Sequence, residues 1–249
     1  MGIRILKGGM MTTVQDLGRY GYQSQGFSVA GVMDVRSFKI ANLLLDNPEN
    51  EAVLEITLIG PTLEFTSATI IAITGGDFQP TINGEPAPMY TALYMNKGDV
   101  LKFGSARTGS RGYIAFSSYL DIPVVMGSRC TNLKSGLGGF KGRKLEADDY
   151  IGFRIKRRYL PFFLSRKLDM DEFDQTEATL RVVMGPQDGM FSKQGIKTFL
   201  GSEYTVTNEF DRMGCRLEGP FIAPKKTSDI ISDGIAFGAI PVSYTHLRA

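Results

Sequence analysis

Short apolar segments of strand length, separated by glycine-containing turns, dominate this sequence and limit the folds that it can adopt. The segment ATIIAITGGD (68–77) is largely apolar up to its glycines, which is typical of a strand buried on both faces. Asn83-Gly84 lies between two short segments of strand character and predicts a tight hairpin turn. Many strands at short spacing predict a mainly β protein, organised as barrels or sandwiches.

Clear helix signals occur in two segments. After Asp34, a residue type that caps helix N-termini, apolar residues recur at helical spacing until Asn47-Pro48 interrupts the pattern. The second segment starts at Ser192 and ends at Gly201. The sequence therefore predicts two short helices against many strands.

Composition argues against several kinds of site. The 249-residue chain has one histidine, His246, and two cysteines, Cys130 and Cys215. These numbers disfavour a His/Cys metal site, a Ser-His or Cys-His nucleophile and a disulfide framework. The formal net charge of +2 gives no electrostatic reason to expect nucleic-acid binding. Because no apolar run reaches the roughly 20 residues of a membrane span, we expect a soluble cytoplasmic protein without a bound metal or a membrane partner.

Two pairs of short motifs indicate an internal duplication. RILKGG at Arg4 corresponds to RVVMGP at Arg181, and LIGPTLEF at Leu58 corresponds to LEGPFIAP at Leu217. Each half runs from a strand through a glycine turn and a helix to a strand that ends in L-x-G-P.

A change in composition separates the two halves. Basic residues between Arg154 and Arg158 are followed by an acidic stretch from Asp169. This pattern predicts an exposed linker, or alternatively a basic docking patch. The predicted organisation is a first domain over 1–155, a linker over 156–178 and a second domain over 179–249.

The duplication also predicts that the second domain is incomplete. The first copy runs about 90 residues beyond Pro61, whereas 29 residues follow Pro220. The last stretch, PVSYTHLRA from about residue 241, differs from its surroundings. We expect this tail to be foreign to the domain.

The stretch GSRCTNLKSGLGGFKGR (127–143) contains five glycines, four basic residues and no acid. It matches neither the Rossmann nor the P-loop pattern for phosphate binding. Its exposed backbone N–H groups and its cations suit an anion, whereas a flexible surface loop with solvated cations is the alternative. Composition alone leaves both open.

Two further stretches combine polar and charged residues. FDRMGCRLEGP places Asp211 beside Arg212 and Arg216 near Glu218, either as ion pairs at a strand end or as a fixed arginine that orients a small polar substrate. TTVQDLGRYGYQSQG, which starts at Thr12, precedes the first predicted helix and is either a binding loop or a capping loop.

In their order and spacing these stretches resemble one known family. TTVQDLGRYGY, GVMDVRSFKIAN, LEITLIGPTLEF, GSRCTNLKSGLGGFKGR, GPQD and DRMGCRLEGP resemble the family of the C component of bacterial 5-oxoprolinase, the KipA regulator and the second half of the carboxyltransferase domain of urea carboxylase. The resemblance runs from about Arg4 to Ile240, with Cys130 where the family commonly has serine. It implies a mainly β fold of two cyclophilin-like β-barrel domains related by internal duplication, the second one truncated.

The resemblance also implies one component of a heteromeric enzyme. Such a chain acts with a KipI-like subunit and a LamB-type subunit in the ATP-dependent opening of 5-oxo-L-proline to L-glutamate, and ATP binds mainly to the other subunits. Two alternatives remain. One is the carboxyltransferase component of a biotin-dependent urea carboxylase-type enzyme, and the other is a non-catalytic KipA-like regulator that binds a KipI-like partner.

Both enzyme functions build negative charge on an oxygen beside a carbonyl, which preorganised donors stabilise. We therefore expect a site for a small carboxylate or amide, formed by residues of the three polar stretches. The predicted catalytic residues are Arg129, Asn132, Lys134, Asp211 and Arg212. The predicted substrate-binding residues are Gln15, Asp16, Arg19, Ser128, Thr131, Gly138, Gly139, Arg143, Arg216 and Glu218.

Overall fold

The chain divides into two compact units, Met1–Thr176 and Glu177–Ala249. The boundary between the units falls inside the predicted linker 156–178. A computed structural model describes residues 1–156, 159–169, 177, 179–212, 214–226, 234–236, 238–242 and 247–248.

Two antiparallel sheets form the first unit, in agreement with the predicted mainly β class. In spatial order, the six-stranded sheet contains β11 (Tyr150–Gly152), β1 (Gly2–Lys7), β4 (Thr62–Phe65), β9 (Val100–Lys102), β6 (Thr81–Ile82) and β7 (Glu85–Pro86). The five-stranded sheet contains β2 (Met11–Gln15), β3 (Val53–Thr57), β10 (Thr108–Phe116), β5 (Thr69–Asp77) and β8 (Ala92–Met95).

Side chains of the five-stranded sheet alternate between two buried layers. In β5, Ile71 and Ile73 pack in the core that the two sheets share, whereas Ile70 and Ala72 pack with α1 (Val35–Leu44). A strand that is covered on both faces needs apolar side chains at successive positions. This explains why ATIIAITGGD is largely apolar up to its glycines, and β5 confirms that prediction.

Local sequence signals set the ends of these elements. The side chain of Asp34 accepts a hydrogen bond from Ser37 N–H at 3.0 Å, which confirms the predicted start of α1. Asn83 and Gly84 have φ values of 53° and 94° and connect β6 to β7, as the hairpin prediction requires. Each of these signals acts within a few residues, so no distant contact is needed to read it.

The stretch that begins TTVQ differs from its prediction as a loop, because its first residues form β2. β2 pairs with β3 along its whole length, and Thr12, Thr13, Val14 and Gln15 are all buried. Val14 packs in the core between the sheets. Thr12, Thr13 and Gln15 therefore lie on a buried edge strand.

The first half of the predicted linker is also corrected by the structure. Leu160 is buried in the apolar cluster that contains α1, and the guanidinium group of Arg166 donates to the carbonyl oxygens of Leu43 and Leu44 at the end of that helix. Residues 159–168 are therefore attached to the first unit, because Leu160 and Phe163 pack in its helix-facing layer.

The second unit contains one helix and a three-stranded sheet. Ser192 caps α2 (Lys193–Gly201) through the N–H of Gly195 at 2.9 Å, which confirms the second predicted helix. The antiparallel sheet has β12 (Thr205–Asp211), β13 (Gly214–Glu218) and β14 (Leu247–Arg248) in that order. His246, in the predicted foreign tail, lies outside the described residues.

Within the described ranges, no helix combines the length and the apolar character that crossing a bilayer requires.

Candidate functional site

The glycine-rich stretch 127–143 lies along the edge strand β2. The N–H and the hydroxyl of Thr131 both donate to the carbonyl of Val14 at 2.9 Å, and Leu145 N–H donates to the carbonyl of Thr12 at 2.8 Å. Because β2 is the outer strand of its sheet, these bonds satisfy carbonyl groups that an edge strand leaves open. The stretch is therefore fixed to the scaffold, which argues against a flexible surface loop.

Asp16 joins the end of β2 to the start of the glycine-rich stretch. Its carboxylate is 2% exposed and accepts hydrogen bonds from the Ser128 hydroxyl and the Arg129 N–H, both at 2.6 Å. It also accepts from Gly18 N–H at 2.9 Å. A buried carboxylate is stable when such donors surround it, so Asp16 holds the backbone of both segments in one arrangement.

Arg19 holds the same two segments from the other side. Its side chain is 0% exposed, and it donates to the carbonyls of Val125 at 3.0 Å and Cys130 at 3.2 Å. A third nitrogen lies 3.6 Å from the Cys130 sulfur. Burial raises the pKa of the Cys130 thiol, which keeps that thiol protonated beside the guanidinium group.

These positions argue against the prediction that Gln15, Asp16 and Arg19 bind substrate. All three are buried, and Gln15 donates to Thr13 Oγ1 at 2.9 Å and to the carbonyl of Thr131 at 3.2 Å. The amide nitrogen of Gln15, the carboxylate of Asp16 and the guanidinium group of Arg19 bind the protein itself. We therefore assign them, together with the buried Ser128 and Thr131, the role of positioning residues.

Close packing explains the glycines of the stretch. Gly138 and Gly139 have φ values of 67° and 54°, which favour glycine. A Cβ atom at Gly138 would overlap the Cys130 carbonyl oxygen and the guanidinium group of Arg19, and one at Gly139 would overlap the Thr131 hydroxyl. The loop thus closes directly over the positioning residues. The N–H groups of Gly138 and Gly139 donate to none of the residues that the structure describes.

The three predicted catalytic residues of the stretch have different environments. Asn132 is buried; its amide donates to Ser28 Oγ at 3.1 Å and accepts from Ser135 N–H at 3.2 Å, so it shapes the turn. Arg129 is half-buried and its Nε donates to the carbonyl of Ile122 at 3.0 Å. Lys134 is exposed. Of these three residues, Lys134 and the outer part of Arg129 therefore place a positive charge at the surface.

Arg143, predicted to bind substrate, is committed to an ion pair. It forms two hydrogen bonds of 2.7 Å with the carboxylate of Asp149 and lies 5.4 Å from the centre of the Phe140 ring. This bidentate pair connects the end of the glycine-rich stretch to the turn before β11. The structure therefore corrects the predicted role of Arg143 to a structural one.

The Arg143–Asp149 pair gives a pH prediction. Hydrogen bonds from Arg143 are the main cause that lowers the pKa of Asp149 below its usual value. Because the folded-state pKa is depressed, the stability from this pair is complete above the unfolded-state pKa of about 3.9 and is lost as the pH falls through the folded-state pKa. We expect urea unfolding between pH 6 and pH 3 to show a steeper loss of stability in the wild type than in Arg143→Ala. A variant at an exposed pair, Arg107→Ala, should keep the wild-type slope; equal slopes in all three proteins would contradict the assignment.

The helix-facing side of the five-stranded sheet contains a buried polar row that the sequence analysis does not predict. Thr13, Glu55, Tyr113 and Thr74 lie opposite one another on β2, β3, β10 and β5, and all four are buried. The sequence signal for this row was Glu55, a charged residue in the otherwise apolar segment VLEIT. A buried carboxylate inside a strand requires donors, and the sequence does not show which residues supply them.

Glu55 and Tyr113 connect this row to the start of α1. The Glu55 carboxylate accepts from Met33 N–H at 2.8 Å and from the Tyr113 hydroxyl at 2.9 Å, and the Tyr113 oxygen accepts from Asp34 N–H at 2.7 Å. Burial is the main cause that raises the pKa of Tyr113. Tyr113 therefore remains a hydrogen-bond donor, and the row fixes the segment that leads into the helix.

We expect Tyr113→Phe to lower the free energy of unfolding by about 2 kcal/mol, because it removes the acceptor of the half-buried Asp34 N–H and one donor to the buried Glu55 carboxylate. Urea unfolding followed by circular dichroism measures this change. Tyr20→Phe is the matched control, since Tyr20 is exposed in the same unit. An equal, small effect of both variants would show that the row contributes little.

The remaining predicted residues lie in the second unit. Arg216 forms an ion pair with Glu209 on the facing strand of the β12–β13 hairpin, which corrects the predicted pairing with Glu218. Glu218 is exposed and Arg212 is half-buried. The side chain of Asp211 lies outside the described residues.

No group of three or more His, Cys, Asp or Glu side chains is placed to hold a metal ion among the residues that could be described.

Comparisons with known proteins agree on one family. The family described as carboxyltransferase domain, subdomain A and B, matches residues 25–246. The C component of the Escherichia coli 5-oxoprolinase is 31% identical over 246 residues, which cover 97% of this chain and 76% of that protein. Urea amidolyase of Lachancea kluyveri is 32% identical over 228 residues, which cover 85% of this chain and 12% of that protein.

A solved structure supports the same relationship. The Kluyveromyces lactis urea carboxylase matches this fold with a TM-score of 0.77 and 29% identity, over 92% of this chain and 21% of that chain. This chain thus spans most of its 5-oxoprolinase relative and a small part of the urea-processing proteins. The chain belongs to the carboxyltransferase domain family, subdomain A and B.

Proposed function

We propose that the chain is the C component of an ATP-dependent 5-oxoprolinase, which opens 5-oxo-L-proline to L-glutamate together with a KipI-like subunit and a LamB-type subunit. The observation that carries this proposal is the similarity to the C component of the Escherichia coli 5-oxoprolinase, which extends over 97% of this chain and 76% of that protein. The similarity to urea amidolyase covers 12% of a much longer protein. Similarity over most of both chains favours the same role in the complex.

The glycine-rich stretch supplies the proposed chemistry. When a nucleophile adds to the lactam carbonyl of 5-oxoproline, negative charge develops on the carbonyl oxygen. We assign the N–H groups of Gly138 and Gly139 and the cations of Arg129 and Lys134 as the donors for this charge. Asp16 and Arg19 contribute by holding these donors in place before the substrate arrives, so the donors need no reorganisation during the reaction.

The same stretch does not fit a nucleotide phosphate. Phosphate loops lead into the N-terminus of a helix, whereas this chain continues from residue 143 through a turn into β11. Gly138 and Gly139 also pack tightly on Cys130 and Thr131. We therefore assign ATP binding mainly to the other subunits of the complex.

A carboxyltransferase component of a biotin-dependent urea carboxylase-type enzyme is the second candidate. The family description and the TM-score of 0.77 to urea carboxylase favour it. The proposed donors suit this function as well, because transfer of a carboxyl group also builds charge on an oxygen beside a carbonyl. Biotin would be required only for this second function.

Alanine variants in the assembled complex test the proposal. We expect Arg129→Ala and Lys134→Ala each to lower kcat for 5-oxoproline-dependent ATP hydrolysis by about 100-fold, the usual effect of removing one oxyanion donor. Arg212→Ala tests the predicted catalytic role of this residue, an arginine that orients the substrate. Arg107→Ala, at an exposed arginine of the first unit, is the control and should keep the wild-type rate. Unchanged rates in all three test variants would overturn the site.

A further inference from the structure

Residues 159–168 hold large apolar side chains in solvent on a firmly attached segment. Tyr159, Phe162 and Leu164 are 86%, 82% and 92% exposed. Three such side chains within six residues form an apolar patch, which we call the aromatic patch. Exposed apolar groups of this size, close together, mark interaction surfaces.

The backbone under the aromatic patch is anchored. Between the exposed side chains, Leu160 is buried in the cluster around α1, and Phe163 packs against the same cluster. Arg166 donates to the carbonyls of Pro161 at 2.9 Å and of Leu43 and Leu44 at 3.3 Å. The exposure of the patch is therefore a property of a packed segment, and does not arise from a frayed end.

The aromatic patch carries a shallow, open depression. A pocket of about 420 Å³ lies on it, lined by Tyr159, Leu160, Phe162, Phe163, Leu164 and Ser165. Phe162 has a φ of 55°, a left-handed value that aromatic residues rarely adopt. A pocket with aromatic walls suits an anchoring side chain of a protein partner better than it suits a lipid surface, because a partner side chain can fill the cavity.

Along the sequence, the segment that carries the aromatic patch has ionic side chains of one sign. The sequence from residue 154 to residue 168 contains no acid. One of its cations, Arg154, forms an ion pair with Glu51, and Lys156 and Lys167 are exposed. The six cations of this segment are Arg154, Lys156, Arg157, Arg158, Arg166 and Lys167. Complementary charge on a partner would therefore be acidic.

We propose that the aromatic patch is the docking surface for a protein of the same complex whose contact face carries an apolar anchor side chain surrounded by carboxylates. The proposal rests on the proposed function, in which this chain acts together with other subunits. It adds the location of the contact, since neither the site nor the family match involves residues 159–168 in particular. The exposed Leu43, at the end of α1 that Arg166 contacts, extends the same surface.

Binding measurements with aspartate variants test the patch. We expect Leu164→Asp and Tyr159→Asp to raise the Kd for the KipI-like or the LamB-type subunit by about 10-fold or more, as for residues central to an interface. Both side chains are exposed, so these changes should leave the melting temperature of the chain unchanged. Val35→Asp is the matched control, because Val35 is an exposed apolar residue in the first turn of α1. Isothermal titration calorimetry gives Kd, and 5-oxoproline-dependent ATP hydrolysis is read in the same samples.

The outcomes separate the two proposals. Suppose that the wild type binds either subunit, that Leu164→Asp and Tyr159→Asp abolish this binding, and that no sample hydrolyses 5-oxoproline. This result would support the docking surface and contradict the proposed function. Equal binding by wild type and both variants would overturn the docking surface and leave the function intact. Absence of wild-type binding to either subunit would overturn the docking surface. Two further results would also overturn the docking surface, if subunit binding by the variants is unchanged. Loss of self-association in analytical ultracentrifugation would assign the patch to a second copy of the chain. Loss of sedimentation with phosphatidylglycerol vesicles would assign it to lipid.

Discussion

Replacing Asp16 by alanine is expected to lower the free energy of unfolding by about 3 kcal/mol. The carboxylate accepts three hydrogen bonds, from Gly18, Ser128 and Arg129, in a buried position. Bonds to a charged acceptor contribute more than neutral ones, and their loss leaves the buried Gly18 N–H and the partly buried Arg129 N–H without this acceptor. The glycine-rich stretch should also lose its attachment to the end of β2.

Two measurements check this expectation. Urea unfolding gives the change in stability, with Asp121→Ala as a control at an exposed aspartate. Hydrogen exchange of residues 127–139 reports the attachment directly, and we expect faster exchange in Asp16→Ala than in the control. A stability loss below about 1 kcal/mol, with unchanged exchange, would mean that Asp16 does not hold the stretch.

Gly139→Ala is expected to lower the free energy of unfolding by about 3 kcal/mol and to abolish the proposed activity. The new Cβ atom would overlap the side chain of Thr131, which is itself bonded to β2. Neither residue 139 nor Thr131 can move away without breaking the contact between the loop and the sheet. The left-handed φ of 54° adds strain for any residue other than glycine.

Gly136→Ala separates these two causes. Gly136 has a similar φ of 60°, but a Cβ atom there meets no other atom within 4 Å. We therefore expect a loss of about 1 kcal/mol from backbone strain alone. Thermal unfolding of both variants, with 5-oxoproline-dependent ATP hydrolysis in the complex, measures the difference. Equal effects at the two positions would show that strain alone, without the close contact, explains the need for glycine.

The sequence predicts well those features that neighbouring residues determine. The Asp34 cap and the Asn83-Gly84 turn each depend on a few successive residues, and both are present in the structure. The apolar run of β5 follows from its burial on two faces. Such signals act locally, so one sequence is enough to read them.

Features that depend on distant contacts were not predictable in the same way. Asp16 and Ser128 are 112 positions apart, and no pattern in either segment shows that they bond. The sequence therefore predicts that Asp16 binds substrate, although tertiary contacts bury its carboxylate. Arg216 illustrates a smaller difference, because its ion-pair partner is Glu209 on the facing strand of the β12–β13 hairpin.

With the proposed function we claim that this chain completes a 5-oxoprolinase. The direct measurement is the rate of 5-oxoproline-dependent ATP hydrolysis by the KipI-like and LamB-type subunits with and without the chain. We expect hydrolysis and glutamate formation when the chain is present, and neither when it is omitted. A rate that does not change on adding the chain, or biotin-dependent carboxylation of urea by the chain with its partners, would contradict the claim.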